Sequence, residues 1–307
     1  MQRALVLSAG GAKGSWQVGA CKHLIGERGV WFDVISGVSV GAVNGTTLAH
    51  AHDLNGMKAH LERLRSVWFG VRGNENIYRR RRHGALGMAL GRWHGLYDVT
   101  PLREEVLGRE IHPEQVATSP VRLKVGYVDL RSRRYRIAGN DHPSIRDAVL
   151  ASCALPVLFP PTLLAGGREI GVDGGIRHFA PLSDAFRGLA ELPPDGESPE
   201  VWVMMVRGPG KTAPGTMVQK WLQVAFPSFA IRADDANDSE TVHTFSVSGG
   251  VLGRNHDVRL RVLHPAEELP GWFLDFDPTN IRRWYEDGLR TAQGAEEMVL
   301  NGNGHAA

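Results

Sequence analysis

Ala4 to Leu7 is an unbroken apolar run with no polar face, and a glycine-rich stretch follows it at once. A short continuous run of this kind predicts a strand buried on both sides, as in a parallel sheet covered by helices. The period then changes. Trp16, Ala20 and Leu24, with Cys21 and Ile25 beside them, recur at helical spacing and predict a helix from near Ser15. A second apolar run, Val30 to Ile35, leads into Gly37-Val38-Ser39-Val40-Gly41, and the small residues from about Val40 to His52 predict a second helix. Strand, helix, strand, helix is the opening of a parallel α/β sheet.

Residues 54–115 break this rhythm. They hold an amphipathic helix pattern near Met57 to Trp68 and then a basic and aromatic stretch, Ile77 to Tyr97, and read as an insertion over the site. The α/β pattern resumes with strands at Val121 to Val128 and Arg134 to Ala138. A helix follows with Ser144 as N-cap and Asp147 at the capping-box position, stopping at Leu155-Pro156. Thr162 to Ala165 and Arg168 to Val172, joined by Gly166-Gly167, predict a hairpin that delivers Asp173. Val201 to Val206 reads as a buried strand between Pro/Gly-rich loops at 193–199 and 208–215. Helical patterns run over Met217 to Phe226 and Ala233 to Val247. Val258 to Leu263 alternates like a strand nearer a sheet edge, and a closing helix starts with Asp277 as N-cap and Pro278 at its first turn. The expected organisation is one domain over residues 1–300, with the insertion at about 54–115 and a disordered tail at 301–307.

Composition narrows the class. With 307 residues, 42% hydrophobic and 22% charged, the chain can bury a large core, and a net charge of +2 argues neither for nucleic-acid binding nor for a strongly steered acidic partner. Two cysteines, Cys21 and Cys153, cannot be a disulfide framework in a chain this long and read as buried reduced thiols of a cytoplasmic protein. The 13 histidines are scattered, so neither a metal nor another cofactor is expected. The apolar run at the N-terminus is too short for a signal-peptide core, and Ala148 to Phe159 is too short for a membrane span.

Candidate chemistry centres on Ser39. A Gly-x-Ser-x-Gly pentapeptide between a strand and a helix predicts a strained turn that lifts the serine hydroxyl clear of its backbone, with Gly37 and Gly41 letting strand and helix approach closely. A plain Gly-rich strand-to-helix turn is the competing reading. Ser8-Ala9-Gly10-Gly11-Ala12-Lys13-Gly14 can point successive amides into one concavity, a nest for an oxyanion. It satisfies neither the P-loop nor the dinucleotide fingerprint. Asp173-Gly174-Gly175 suits a base held on a tight turn, and equally an ordinary Asx turn. Ser152 to Pro161 is apolar and proline-stiffened, fit for an acyl channel or for core packing alone.

In their order these four elements resemble the patatin-like phospholipase family over roughly residues 4–185. The resemblance implies a three-layer α/β/α fold with a mostly parallel central sheet and a lipid acyl hydrolase, of phospholipase A or lysophospholipase type, working through a Ser-Asp dyad without cofactor. It assigns the nucleophile to Ser39, the base to Asp173 and the oxyanion hole to the amides around Gly10, Gly11 and Ala12. Lys13 and Gly14 then support the loop and its anion, and Ala9 departs from the usual first glycine. An idle lipid-binding scaffold of the same fold is the alternative, and a Ser-Asp-His triad using His243, His256 or His264 a further one. Lipid chemistry would also give sense to Arg79-Arg80-Arg81-Arg82, which precedes Leu86, Leu90, Trp93 and Tyr97. Such a stretch is expected to touch an anionic membrane peripherally, at its inner surface. A solvated charge run beside a packed lid helix explains the same residues. The sequence leaves the oligomeric state open.

Overall fold

Ala4 to Leu7 are fully buried, and with Arg3 they form β1 (Arg3–Leu7), the middle of the sheet. The computed structural model describes residues 1–91, 94–207, 243–247 and 256–302. From β1 the chain passes through the glycine loop into α1 (Gly14–Cys21), whose end widens into a π-helical stretch, Lys22–Glu27. β2 (Val34–Val38) leads into α2 (Val40–Leu48). α3 (Leu54–Gly70) is capped by Asp53, whose Oδ1 accepts from the Gly56 amide at 2.7 Å, and it buries Met57, Leu61, Leu64 and Trp68 on one stripe.

Within the expected insertion, β3 (Arg79–Arg80) and β4 (Tyr97–Asp98) pair as a small ribbon on either side of α4 (Gly84–Ala89). A π-helical turn, Pro101–Leu107, then runs into α5 (Gly108–Glu110), and α6 (Pro113–Thr118) follows. The chain returns to the sheet as β5 (Arg122–Asp129) and β6 (Arg134–Ala138), crosses through α7 (Ile145–Ser152), and makes the hairpin β7 (Thr162–Leu164) and β8 (Glu169–Asp173). α8 (Leu182–Ala190), β9 (Glu200–Met204), β10 (His243–Val247), β11 (His256–Leu263) and α9 (Pro278–Gly302) complete the described elements.

The main sheet runs β10-β11-β9-β1-β2-β5-β8-β7, with β6 also on β5. From β11 to β5 all neighbours are parallel, and the flanking pairs are antiparallel, so the centre is a parallel sheet as expected. Side chains of successive strand residues point to opposite faces. On β2, Ile35 lies under Gly45 of α2, while Val34 meets Gly188 of α8. Helices therefore cover both faces, and the three-layer α/β/α expectation holds.

Three details differ from the sequence reading. Residues 243–247, the end of a segment with a helical pattern, form a strand: Thr244, Phe245 and Val247 suit an extended backbone, and β11 offers a free edge to pair with. The rest of that segment, like 217–226, lies outside the described residues. Ser144 precedes α7 but its hydroxyl makes no capping bond, and the helix ends at Ser152, before Leu155-Pro156. Asp277 does cap the last helix, accepting from Thr279 and Asn280 amides at 2.9 Å. That helix continues through Gly302, two residues into the expected tail, since nothing before Asn301 breaks it; 303–307 lie outside the described residues.

Candidate active site

Where β2 gives way to α2, Ser39 adopts φ 55° and ψ −128°, a conformation that side chains rarely take and that the surroundings must impose. Its amide donates to Ser152 Oγ at 2.8 Å, and that hydroxyl donates to the Gly126 carbonyl at 2.6 Å. Its carbonyl accepts from Ala42 at 2.9 Å, starting the helix. Gly37 and Gly41 sit back to back across the turn: a Cβ on Gly37 would stand 2.3 Å from the Gly41 carbonyl oxygen. Ser39 is thus held at the N-terminus of α2, where the helix dipole favours developing negative charge.

β5 brings Asp173 to this turn. Val38 pairs with Gly126, and Asp173 pairs with the next residue, Tyr127. One edge of β5 is taken by β6 at both positions, so β2 and β8 share the other edge. They run in opposite senses along it and meet head-on, Val38 against Asp173. Consistent with this, a Cβ on Gly174 would lie 2.3 Å from the Gly126 carbonyl oxygen and 3.0 Å from Val38 Cγ1.

The Asp173 carboxyl is wholly buried. Its Oδ1 accepts from the Gly175 amide at 2.7 Å, an Asx turn, so the plain reading of Asp-Gly-Gly is correct for one oxygen. Among the described residues, its Oδ2 is buried and meets no donor at full hydrogen-bond geometry, although the Ser39 hydroxyl lies close enough to act on the carboxyl. Burial pushes its pKa up to about 7, opposed by the neighbouring Ser39 hydroxyl and the Gly175 amide. No histidine is among these influences. His264 has its Nδ1 on the Pro265 carbonyl at 2.9 Å, and β9 and β1 stand between β11, which His264 follows, and β2. His243 and His256 lie on β10 and β11, farther along the same side of the sheet.

The glycine loop lies at the same end of the sheet, after β1. Lys13 and Gly14 amides close its 3-10 turn on Gly10 and Gly11 carbonyls, and the Ala9 amide donates to Phe179. Among the described residues, no acceptor meets the amides of Gly10 and Gly11. The Ala12 amide does have one, the Phe273 carbonyl at 2.6 Å. Beneath the loop, a buried polar chain ties it to three helices. Gln17 Nε2 donates to the Ser8 carbonyl at 2.9 Å; Asn44 Nδ2 donates to Gly14 O and Gln17 Oε1, both at 3.0 Å; Trp68 Nε1 donates to Asn44 Oδ1 at 3.0 Å. Lys13 is half-buried, and burial lowers its pKa, with Glu268 acting the other way.

Ser39 and Gly11 open on a cavity of about 670 Å³, counted with its mouth, whose walls are otherwise almost entirely apolar. Trp68, Ile77, Leu102, Leu155, Phe159 and Phe276 are among them. Cys153 also lines it, but burial first and Asp173 second raise its thiol pKa well above the ordinary value, and Cys21 is pushed up to about 12. Both cysteines are reduced and buried. Among the described residues, no group of three or more His, Cys, Asp or Glu is arranged to hold a metal ion.

Residues 5–186, more than half of the chain, match the family model for patatin-like phospholipase. The chain belongs to the patatin-like phospholipase family. The matched span carries the glycine loop, the Ser39 turn and Asp173-Gly174-Gly175. Among solved structures, this patatin-like chain is similar to VipD from Legionella pneumophila at 18% identity and TM-score 0.44, covering 96% of this chain and 67% of that one. It is also similar to the ExoU-SpcU complex of the type III secretion system of Pseudomonas aeruginosa, at 12% identity and TM-score 0.38, covering 98% of this chain and 52% of that one. The chain thus spans about two thirds of the first and half of the second. No curated protein matches it.

Sequence reasoning missed three contributors to this patatin-like site. Ser152 braces the serine turn, and its only signal was a hydroxyl placed between Ala151 and Cys153 in an apolar helix. Asn44 joins α2 to the glycine loop, flagged by one amide in a helix of small residues. Phe273 left no local signal at all.

Proposed function

We propose that this protein hydrolyses carboxylic esters of lipids, phospholipids or lysophospholipids foremost, with Ser39 as nucleophile and Asp173 as its base. The observation that carries the reading is the buried Asp173 carboxyl beside the Ser39 hydroxyl, with Oδ2 left over by the Asx turn. In the reaction, Ser39 Oγ attacks the ester carbonyl as its proton passes to Asp173. Amides of the glycine loop, those of Gly10 and Gly11 first, stabilise the tetrahedral oxyanion, each donor contributing roughly 2.7–4 kcal/mol in comparable sites. Collapse returns the proton to the leaving alcohol. Water then attacks the acyl-serine, giving its proton to Asp173, and Ser39 leaves reprotonated with release of the fatty acid. Lys13 and Gly14 hold the loop, and the apolar cavity takes the acyl chain.

The test is a mass-spectrometric assay of fatty acid release from mixed phospholipid vesicles. Ser39→Ala is expected to lose at least about a thousandfold of the rate. Full activity in that variant would overturn the assignment, and an inactive wild type that a fluorophosphonate cannot label at Ser39 would favour the idle scaffold.

Membrane contact through the basic arm is part of the same proposal. α4 is inside out: Gly84 and Gly87 face inward, while Leu86 and Leu90 are 59% and 63% exposed. Arg79, Arg80 and Arg82 are exposed beside them, Arg79 3.6 Å from Glu105, and Arg81 reaches Asp98 at 3.4 Å. Val157, 54% exposed, continues the apolar rim, since its carbonyl accepts from the Leu96 amide at 3.0 Å. Cations flanking exposed leucines suit an anionic lipid surface, at about 1 kcal/mol per arginine. Trp93 lies outside the described residues. None of the described helices is long and apolar enough to cross a membrane. Replacing Arg79, Arg80 and Arg82 by Ala is expected to weaken sedimentation with phosphatidylserine-containing vesicles by about one to two orders of magnitude, leaving turnover of a soluble ester unchanged. Undiminished vesicle binding would remove the arm from the proposal.

A further inference from the structure

Between β11 and α9, residues 264–277 form a strap with no helix or strand. Leu274 and Phe276 line the apolar cavity, and the Phe276 ring stacks 6.4 Å from Trp68. Two hydrogen bonds latch the strap to the 54–115 segment: Tyr78 Oη donates to the Leu274 carbonyl at 2.7 Å, and the Phe276 amide donates to Asn74 Oδ1 at 2.7 Å.

Its contact with the glycine loop is the informative one. The Phe273 carbonyl oxygen accepts from the Ala12 amide at 2.6 Å, and it sits so close to Gly11 that a Cβ there would stand 2.1 Å from it. A peptide carbonyl oxygen carries partial negative charge and accepts a backbone N–H, as the oxygen of a bound ester would. Glu268, on the same strap, lies within electrostatic reach of Lys13 at the end of the loop. Gly271 takes φ +87°, a backbone conformation open to glycine, and so supplies a turn about which the 272–276 arm can swing.

We propose that the strap 264–277 is an autoinhibitory cover, its Phe273 carbonyl standing in for a substrate carbonyl on the glycine loop, so that the site turns over only when the strap lifts. This rests on the reading of the glycine loop as the oxyanion hole and Ser39 as nucleophile. While the cover is down, the Ala12 amide is spent on the protein itself and the acyl cavity is walled by Leu274 and Phe276. Lifting it frees the amide and opens the cavity in one motion, because a single stretch of chain makes both contacts.

The test weakens the latch without touching the dyad or the loop. Tyr78→Phe keeps the ring and removes only the bond to Leu274. Asn74→Ala removes the bond to Phe276. Each latch bond is of the modest strength usual for a hydrogen bond in water, so the single variants are expected to react about threefold faster and the pair roughly tenfold faster. The readout is the rate of Ser39 labelling by a fluorophosphonate probe, with hydrolysis of a soluble short-chain ester alongside. Hydrogen exchange of residues 264–277 should quicken in the same variants, and this does not depend on Ser39 chemistry. Faster exchange with faster labelling supports the cover. Faster exchange with unchanged or slower labelling overturns it and makes the strap a wall that completes the site. Unchanged exchange in the folded double variant also overturns it, since the latch would then hold nothing. A wild type that the probe never labels at Ser39, with exchange still responding, would instead defeat the nucleophile assignment.

Discussion

Asp173→Asn is expected to abolish lipid hydrolysis and, at the same time, to make the folded protein more stable above neutral pH. The two effects have one cause. The native pKa of about 7 exceeds the ordinary 3.8 because the carboxylate is buried, so the folded state binds more protons than the unfolded state between those values. Stability therefore falls as pH rises from about 4 to about 7, and the full penalty, of order 4 kcal/mol, is present above pH 7. Asparagine keeps the acceptor for the Gly175 amide and carries no charge to desolvate. Chemical denaturation at pH 8 should show the variant more stable by a few kcal/mol, with the difference shrinking towards zero near pH 4. Wild-type turnover should climb through about pH 7 as the base ionises. If the variant is no more stable than wild type at pH 8, the carboxyl is not buried as described; if it still turns over lipid normally, it is not the base.

Gly41→Ala should damage the serine turn severely with a single methyl group. A Cβ there would lie 2.2 Å from the Leu7 carbonyl oxygen and 2.7 Å from that of Ser8, both backbone atoms of β1 and the start of the glycine loop. Neither can rotate away, so α2 must move off the sheet, at about 1–3 kcal/mol. That motion separates Ser39 from the loop amides, and a displacement of about 1 Å is enough for roughly a hundredfold loss of rate. Gly70→Ala, at the end of α3 with nothing within 4 Å of its new Cβ, is the control and should be neutral or stabilising by about 0.5–1 kcal/mol. Circular dichroism melts and ester turnover on the two purified variants decide it. Equal activity in both would mean that the packing of the serine turn does not govern its reactivity.

Family membership and these geometric details answer different questions. The match over residues 5–186 covers the three motif elements of the site but stops before the strap. The cavity nonetheless takes Leu274 and Phe276 from beyond the match, so its apolar walls belong partly to a segment whose sequence announces no function.

What the sequence determined by itself were the features with short-range causes. β1 is legible because four apolar residues in succession need cover on both faces; the serine turn, because Gly37 packs against the Gly41 carbonyl within one turn; the β7–β8 hairpin, because Gly166 and Gly167 supply positive φ values of 67° and 84° beside that of Ala165. Even the Asx bond of Asp173 is local. Packing in three dimensions fixes that β2 and β8 abut on one edge of β5, that Ser152 braces Ser39, that residues 243–247 extend an edge instead of a helix, and that the Phe273 carbonyl settles on the Ala12 amide. These rest on single hydrogen bonds or registers between segments, most of them far apart in the chain. Such contacts impose no periodicity, so they leave at most a single polar or β-branched residue as a trace in the order of the amino acids.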